Sequence, residues 1–184
     1  ISDATRAVFL THAQGFDGLD DRLIDELEAK KIPLIEDVCE SHGVTHNGKK
    51  AGSIGWMSNF SFYYAHHMST IEGGMICTDD SDVYQQLRML RSHGMVREAS
   101  DSDFKQTWID ENPELNSDFI FAFPAYNVRN TEIGAILGMQ QLKRLDLIVE
   151  NRTLNLSRFL EKIDADRFFV DFKTEGSSNY AFNL

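Results

Sequence analysis

TRAVFLTHAQGFDGLDDRLIDELEAKKIPLIED, residues 5–37, reads as a single β-α-β unit. Residues 5–11 are a short β-branched and apolar run, and Gly15 and Gly18 mark the exit loop of a buried strand. A helix follows. Asp20 or Asp21 caps it, Leu23, Ile24 and Leu27 fall on one face, and Lys30 and Lys31 sit where the helix dipole favours cations. Pro33-Leu34-Ile35 opens a second buried strand that ends on the acidic pair Glu36-Asp37. This order predicts parallel strands joined by a right-handed crossover, and in such sheets function gathers at the carboxyl ends of the strands.

Working outward, 59–64 and 75–78 read as two more strands, separated by AHHMSTIEGG, which is too polar and Gly-rich for a core element. Helical spacing of Val83, Leu87 and Leu90 predicts a helix over 80–92, and 94–120 reads as a long, polar surface excursion. Between 131 and 163, positions such as Ile133, Leu137, Leu145, Ile148, Leu156 and Leu160 predict long helical segments, with Gly134, Ala135 and Gly138 permitting a close neighbour. Residues 168–172 and 180–184 read as strands that begin a further α+β unit. The expected class is α/β.

The 184 residues are 42% hydrophobic and 26% charged, enough for a sizeable core and against disorder. An excess of 29 acidic over 18 basic side chains gives a net charge of −11, a poor match to nucleic acid. No apolar run is long enough for a membrane span and no signal segment opens the chain, so a cytoplasmic protein without a membrane partner is expected. Cys39 and Cys77 read as free thiols, and a four-cysteine metal or cluster site is excluded by count. Ile1 in place of methionine and a C-terminus that breaks off within a predicted strand suggest part of a larger protein.

Asp37, at the carboxyl end of a buried strand, needs a donor or cation to remain ionised, although taken alone it reads first as an Asp capping the next turn. Glu40 reads either as a second carboxylate of that site or as a solvated loop residue. His42 and His46, and the pair His66-His67, invite a metal reading, but Gly43 interrupts the first pair and adjacent histidines point apart, so no metal is expected. Ser61 and Gly73-Gly74 are open to ordinary turn chemistry.

Three segments in order change this balance: IEDVCESHG at 35–43, SFYYAHHMSTIEGG at 61–74 and YNVR at 126–129. Together they resemble the DegT-type sugar aminotransferase family of pyridoxal phosphate enzymes, over nearly the whole chain. The resemblance implies the type I transferase fold, with 1–130 as part of the large cofactor-binding domain, 131–184 as long helices and the start of a small C-terminal α+β domain, and further family segments lying outside the sequence. It also implies that Asp37 pairs with the pyridinium nitrogen, Glu40 faces the ring oxygen, Ser61 donates to the phosphate, and Asn127 reaches the phosphate from the neighbouring subunit of a homodimer. Glu40 stands where Gln is commoner in the family, Tyr64 where Pro is frequent, Ile71 where Gly is frequent, and Asn130 where an apolar residue usually follows Arg129. His93 and Arg129 are candidate substrate residues, with a polar helix end as the competing reading of His93.

The informative departure is His66. Five residues after the Ser and six before E-G-G, transaminating members carry the lysine that bonds the cofactor, and this chain has no lysine between Lys50 and Lys105. An imidazole cannot form that bond, but with an ordinary pKa near 6.5 it exchanges protons at neutrality. This histidine resembles the nucleotide-sugar 3-dehydratase branch, of the GDP-4-keto-6-deoxymannose 3-dehydratase type. Membership there implies pyridoxal 5'-phosphate and pyridoxamine 5'-phosphate as cofactor, a nucleotide-linked 4-keto-6-deoxy sugar as substrate, glutamate as amino donor, and a place in the synthesis of deoxysugars for lipopolysaccharide O-antigen. The competing readings are a non-catalytic paralogue acting as sensor or scaffold, an aminotransferase relative, and an iron-sulfur dehydrase, whose cluster cysteines are missing after Cys77.

Overall fold

A computed structural model describes residues 1–183, which form two compact units: residues 1–77 together with 132 onward, and Thr78–Thr131. In the first, β1 (Val8–Thr11), α1 (Asp21–Lys30) and β2 (Leu34–Asp37) form the expected unit, with β1 and β2 parallel and Val8 opposite Leu34. Asp20 caps α1 by accepting from the Arg22 amide at 2.9 Å, and Lys31 ends it in a left-handed turn at φ 55°. Leu27, on the predicted face, packs with buried Leu19 and Leu34 and with Leu23 and Ile24.

A short hairpin, β3 (Thr45–His46) and β4 (Lys49–Lys50), turns through Asn47 and Gly48, both at positive φ. Two left-handed residues in succession match the hairpin's twist, which is why Asn-Gly stands there. β5 (Met57–Ser61) pairs in parallel with β2, and β6 (Gly74–Thr78) completes a four-stranded sheet of order β1-β2-β5-β6. The strand expected at 59–64 starts two residues earlier and stops at Ser61, because the Phe62 backbone is taken by the loop: its amide donates to Gly73 and its carbonyl accepts from Thr70.

After α4 (Glu132–Leu142) comes α5 (Leu145–Leu160), the long helices read from the sequence. A Cβ on Gly138 would stand 3.3 Å from the Thr70 methyl, so this small residue does allow a close approach. The two strands expected at the C-terminus do not form among the described residues, and Leu184 lies outside them. No sheet edge pairs with 168–172; Phe172 instead stacks on Phe16 at 5.3 Å, and the following backbone is held by Thr45, Gly15 and Gln14.

The second unit corrects the expectation for 94–120. α2 (Ser81–Leu90) is the helix that the spacing predicts and is capped by Asp80, but a second capped helix, α3 (Ser102–Glu111), lies inside the expected excursion. Val96, Ala99 and Ile120 form a core with Met89, flanked by Phe104 and Trp108. Apolar residues dispersed among polar ones carry no clear period, so only tertiary packing reveals them. No helix among the described residues is long and apolar enough to cross a membrane.

One buried carboxylate organises the first unit. Glu36 is fully buried on β2; its Oε1 accepts from the amides of Ile54 (2.9 Å) and Gly55 (2.6 Å), and its Oε2 from the Gly52 amide (2.8 Å) and His12 Nε2 (3.2 Å). His12 Nδ1 accepts from the Gly18 amide at 3.2 Å, which places the ring proton on Nε2, facing Glu36. Burial alone would raise the Glu36 pKa, but these four donors outweigh it and hold the carboxyl below its usual range.

The remaining histidines divide by surroundings. His46 lies between Asp17 Oδ2 (2.7 Å) and Asp21 Oδ1 (2.9 Å), so both ring nitrogens face carboxylates; burial opposes the charge, but these bonds prevail and raise its pKa. His42 and His67 are buried, and burial drives both down to about 4, aided by the positive charge of Arg152 beside His67.

Two outcomes follow from these environments. Glu36→Gln should cost about 2–4 kcal/mol in chemical denaturation, because either orientation of the amide turns an NH2 toward two donors that lose their acceptor; native stability in this variant would contradict the assignment. Stability should also peak near pH 6.5. Above it, His46 loses its proton and its contribution; below it, the unfolded chain protonates His42 and His67 while the folded one resists, on the order of 3 kcal/mol each by pH 4. His42→Leu should flatten the acid limb of a denaturation midpoint measured against pH, and an unaltered limb would exclude this origin.

Candidate active site

Three segments of the first unit converge at the carboxyl end of β2. Asp37, half-buried on the last residue of that strand, is registered opposite Asn59 of β5. Its Oδ1 accepts from Asn59 Nδ2 at 2.9 Å and from the Cys39 amide at 3.0 Å. The second bond is a local turn, so the capping role weighed for Asp37 is real; it occupies one oxygen only. The Cys39 thiol also hydrogen-bonds this carboxylate, and the rest of its acceptor capacity can meet a donor from outside the chain. The Cys39 thiol is pushed up to about 11, first by burial and then by Asp37, so it remains protonated and unreactive beside the site.

Glu40 is held from the β1 exit loop. Its Oε2 accepts both from the Gln14 backbone amide (3.0 Å) and from Gln14 Nε2 (3.1 Å), which removes the reading of a freely solvated loop residue. His66 lies in the loop between β5 and β6. That loop is closed by Phe62 on Gly73 (2.8 Å) and Thr70 on Phe62 (2.9 Å), and the His66 amide donates to the Tyr63 carbonyl at 3.1 Å. Ile71 stands at φ 75°, a left-handed conformation costly for a β-branched residue, at a position where glycine would be relaxed.

The His66 ring is half-buried among aromatic neighbours, with centroids 5.4 Å from Tyr180, 5.8 Å from Tyr63 and 6.2 Å from His42. Its Nδ1 is enclosed without a hydrogen-bond partner. Burial lowers its pKa, while the charges of Glu40 and Asp37 limit the fall. At neutral pH the imidazole is therefore an uncharged base, set between a carboxylate field and an apolar wall. Ser61 ends β5, where its Oγ accepts weakly from the Tyr63 amide at 3.3 Å and keeps its own proton available for an acceptor.

Asn127, Arg129 and His93 come together in the second unit. His93, at φ 62° just past α2, donates its amide to the Tyr126 carbonyl at 2.6 Å, Ser92 bridges to Asn127, and Arg129 Nε donates to Asn127 Oδ1 at 3.4 Å. The polar-helix-end reading of His93 thus describes its backbone, and Asn127 and Arg129 are exposed.

Several residues of the site escape a reading from sequence. Asn59 orients Asp37, yet its signal exists only once β2 and β5 are in register. His42 and His67, weighed in the sequence as metal ligands, form the wall behind His66. His42 lies 5.9 Å from the rings of both Phe60 and Phe62, and His67 Nε2 donates to the Ser178 carbonyl at 2.9 Å.

Known proteins share both sequence and architecture with this chain. It is 35% identical over 181 residues to GDP-4-keto-6-deoxy-D-mannose 3-dehydratase of Escherichia coli O55:H7, an alignment covering 98% of this chain and 46% of that one. It is also 35% identical over 185 residues to the enzyme of the same description from Yersinia pseudotuberculosis, covering 100% and 47%. The chain thus spans about half the length of the curated relatives it matches. A crystal structure of GDP-4-keto-6-deoxymannose-3-dehydratase with a trapped PLP-glutamate geminal diamine superposes with a TM-score of 0.76 at 33% identity, over 94% of this chain and 43% of the other. The architecture is accordingly that of the pyridoxal-phosphate-dependent transferases. With residues 1–182 matching its model, the chain belongs to the DegT/DnrJ/EryC1/StrS aminotransferase family.

Proposed function

We propose that the chain is part of a nucleotide-sugar 3-dehydratase that uses pyridoxamine phosphate held without a covalent tether and removes the C3 hydroxyl of a nucleotide-linked 4-keto-6-deoxy sugar. The observation that carries this reading is the placing of His66, an uncharged and half-buried imidazole, beside the carboxylates Asp37 and Glu40 where a transaminase of the family needs lysine. The two curated dehydratases support it, as does the similar structure holding a PLP-glutamate adduct, which favours glutamate as amino donor.

The residues present fit the cofactor. Asp37 would accept the ring N–H and keep the ring protonated, and Asn59 and the Cys39 amide, both donating to Oδ1, fix the direction of its carboxylate. Ser61 would donate a hydrogen bond from its hydroxyl to the phosphate, and Glu40 would face the ring oxygen. When bound, the cofactor supplies the amine that condenses with the 4-keto group and the ring that takes up the electron pair as the C3 hydroxyl leaves. His66 would take the proton from the cofactor methylene and return it, being neutral at the start and only moderately basic. Its lowered pKa keeps it unprotonated at pH 7, and the two carboxylates stabilise the imidazolium once it forms.

Residues 1–130 belong on this reading to the large cofactor domain, and 131–184 lead into the small C-terminal domain. The whole enzyme acts as a cytoplasmic homodimer in deoxysugar synthesis for lipopolysaccharide O-antigen, with Asn127 reaching the phosphate of the neighbouring subunit, and His93 and Arg129 facing the sugar nucleotide.

Asp37→Asn should leave the fold intact but lower turnover by about 100-fold or more, since a neutral amide no longer holds the ring proton; native turnover would sink the assignment. His66→Ala should abolish dehydration. His66→Lys should allow borohydride to fix the cofactor to the chain, detectable by mass spectrometry, while dehydration falls, because a lysine of ordinary pKa about 10.4 is mostly protonated when free. A borohydride-fixed adduct in the native protein would refute the untethered reading.

A further inference from the structure

The short turn after β1 bears on the base from a distance in sequence. Gln14 stands at its centre in a left-handed conformation, φ 57° and ψ 20°, which a residue other than glycine adopts only where its surroundings require it. Three of its polar groups are directed at neighbours of His66. Its backbone amide and Nε2 both donate to the same oxygen of Glu40, at 3.0 and 3.1 Å, and its carbonyl accepts from the Tyr180 amide at 3.0 Å. Tyr180 in turn sets its ring 5.4 Å from that of His66. The adjacent Gly15 locks the turn: it sits at φ 84°, its carbonyl accepts from the Ser178 amide at 2.8 Å, and a Cβ there would collide with the Ser178 carbonyl. Ser178 itself accepts from His67, the residue following His66.

We propose that Gln14 is a positioning residue for His66, fixing the Glu40 carboxylate through two donors and the Tyr180 ring through its carbonyl. The inference rests on the reading of His66 as the base and adds what sets its basicity. Two donors on one carboxylate oxygen leave Glu40 little freedom to turn away, and the left-handed backbone is what allows amide and side chain to reach the same atom. The groups facing His66 are the carboxylates Asp37 and Glu40, the imidazoles His42 and His67, and the phenols Tyr63 and Tyr180; of these, the two carboxylates favour its protonation, against burial.

The test is an NMR titration of the His66 ring in the protein without cofactor, a readout independent of turnover. Gln14→Gly removes the side-chain donor while suiting the left-handed backbone, so the fold is retained and only the hold on Glu40 is weakened. Glu40→Gln removes the charge outright. The His66 pKa should fall in Glu40→Gln by about half a unit to one unit, and in Gln14→Gly in the same direction by less. The double variant should fall no further than Glu40→Gln, since Gln14 acts through Glu40. An unchanged His66 titration in either single variant, or additive shifts in the double one, overturns the proposal. If the titration behaves as stated while His66→Ala still dehydrates, the base assignment fails and the positioning role stands.

Discussion

A fully buried carboxylate with four donors is the constraint on which the rest of this structure depends. Glu36 cannot remain ionised in the interior unless each oxygen is satisfied, and the donors that satisfy it come from places the sequence leaves far apart: the end of β1 through His12, and the 52–55 loop ahead of β5 through three amides. The charge therefore ties β1, β2 and the approach to β5 together at one point. Asp37 is the next residue of β2, so the backbone that carries its carboxylate is fixed by the burial of Glu36 beside it. Ser41 extends the tie by donating to the His12 carbonyl and accepting from Gly15 at 3.1 Å.

Beyond this hub, the same kind of side chain is used in opposite ways according to what surrounds it. His46, caught between two aspartates that favour its protonated form, fastens the hairpin to the start of α1. His42 and His67, among aromatic rings and backbone, are held neutral. His66 lies between these limits, partly desolvated yet within the field of two carboxylates, and only such an intermediate environment makes an imidazole both a base at neutrality and a stable acid after it has taken a proton.

The parallel β-α-β unit was legible because its cues are local: a cap at Asp20, an apolar face through Leu23, Ile24 and Leu27, and a strand ending at Asp37. The family itself was legible through the order of the segments that carry Asp37, Glu40 and His66. Contacts that exist only across the sheet or between loops were not. Asn59 has no distinguishing neighbour in sequence, and Gln14 sits in a stretch whose glycines predict a loop but not its target. The differences at 94–120 and at the C-terminus share one cause, since tertiary partners and not local pattern decide where apolar residues such as Val96, Trp108 and Phe172 pack. Ile71 is the reverse case. Its departure from a commoner glycine was visible in sequence, and the left-handed backbone explains why glycine suits the place.

Replacing a tethering lysine by histidine changes what the rest of the proposed site must do. A covalent bond fixes a cofactor whatever the quality of its other contacts, whereas an untethered one stays and is aligned only by hydrogen bonds and charge. Asp37 then has to meet the ring from a single fixed direction, which the Asn59 and Cys39 donors enforce, and Glu40 has to be restrained, which the two donors of Gln14 achieve. Such restraint is established during folding and need not be assembled when the ligand arrives, so less conformational freedom remains to be lost on binding. The strained turn at Gln14 and the ionised Glu36 in the interior are costs of that rigidity, placed one step behind the side chains of the proposed site, whose geometry they hold.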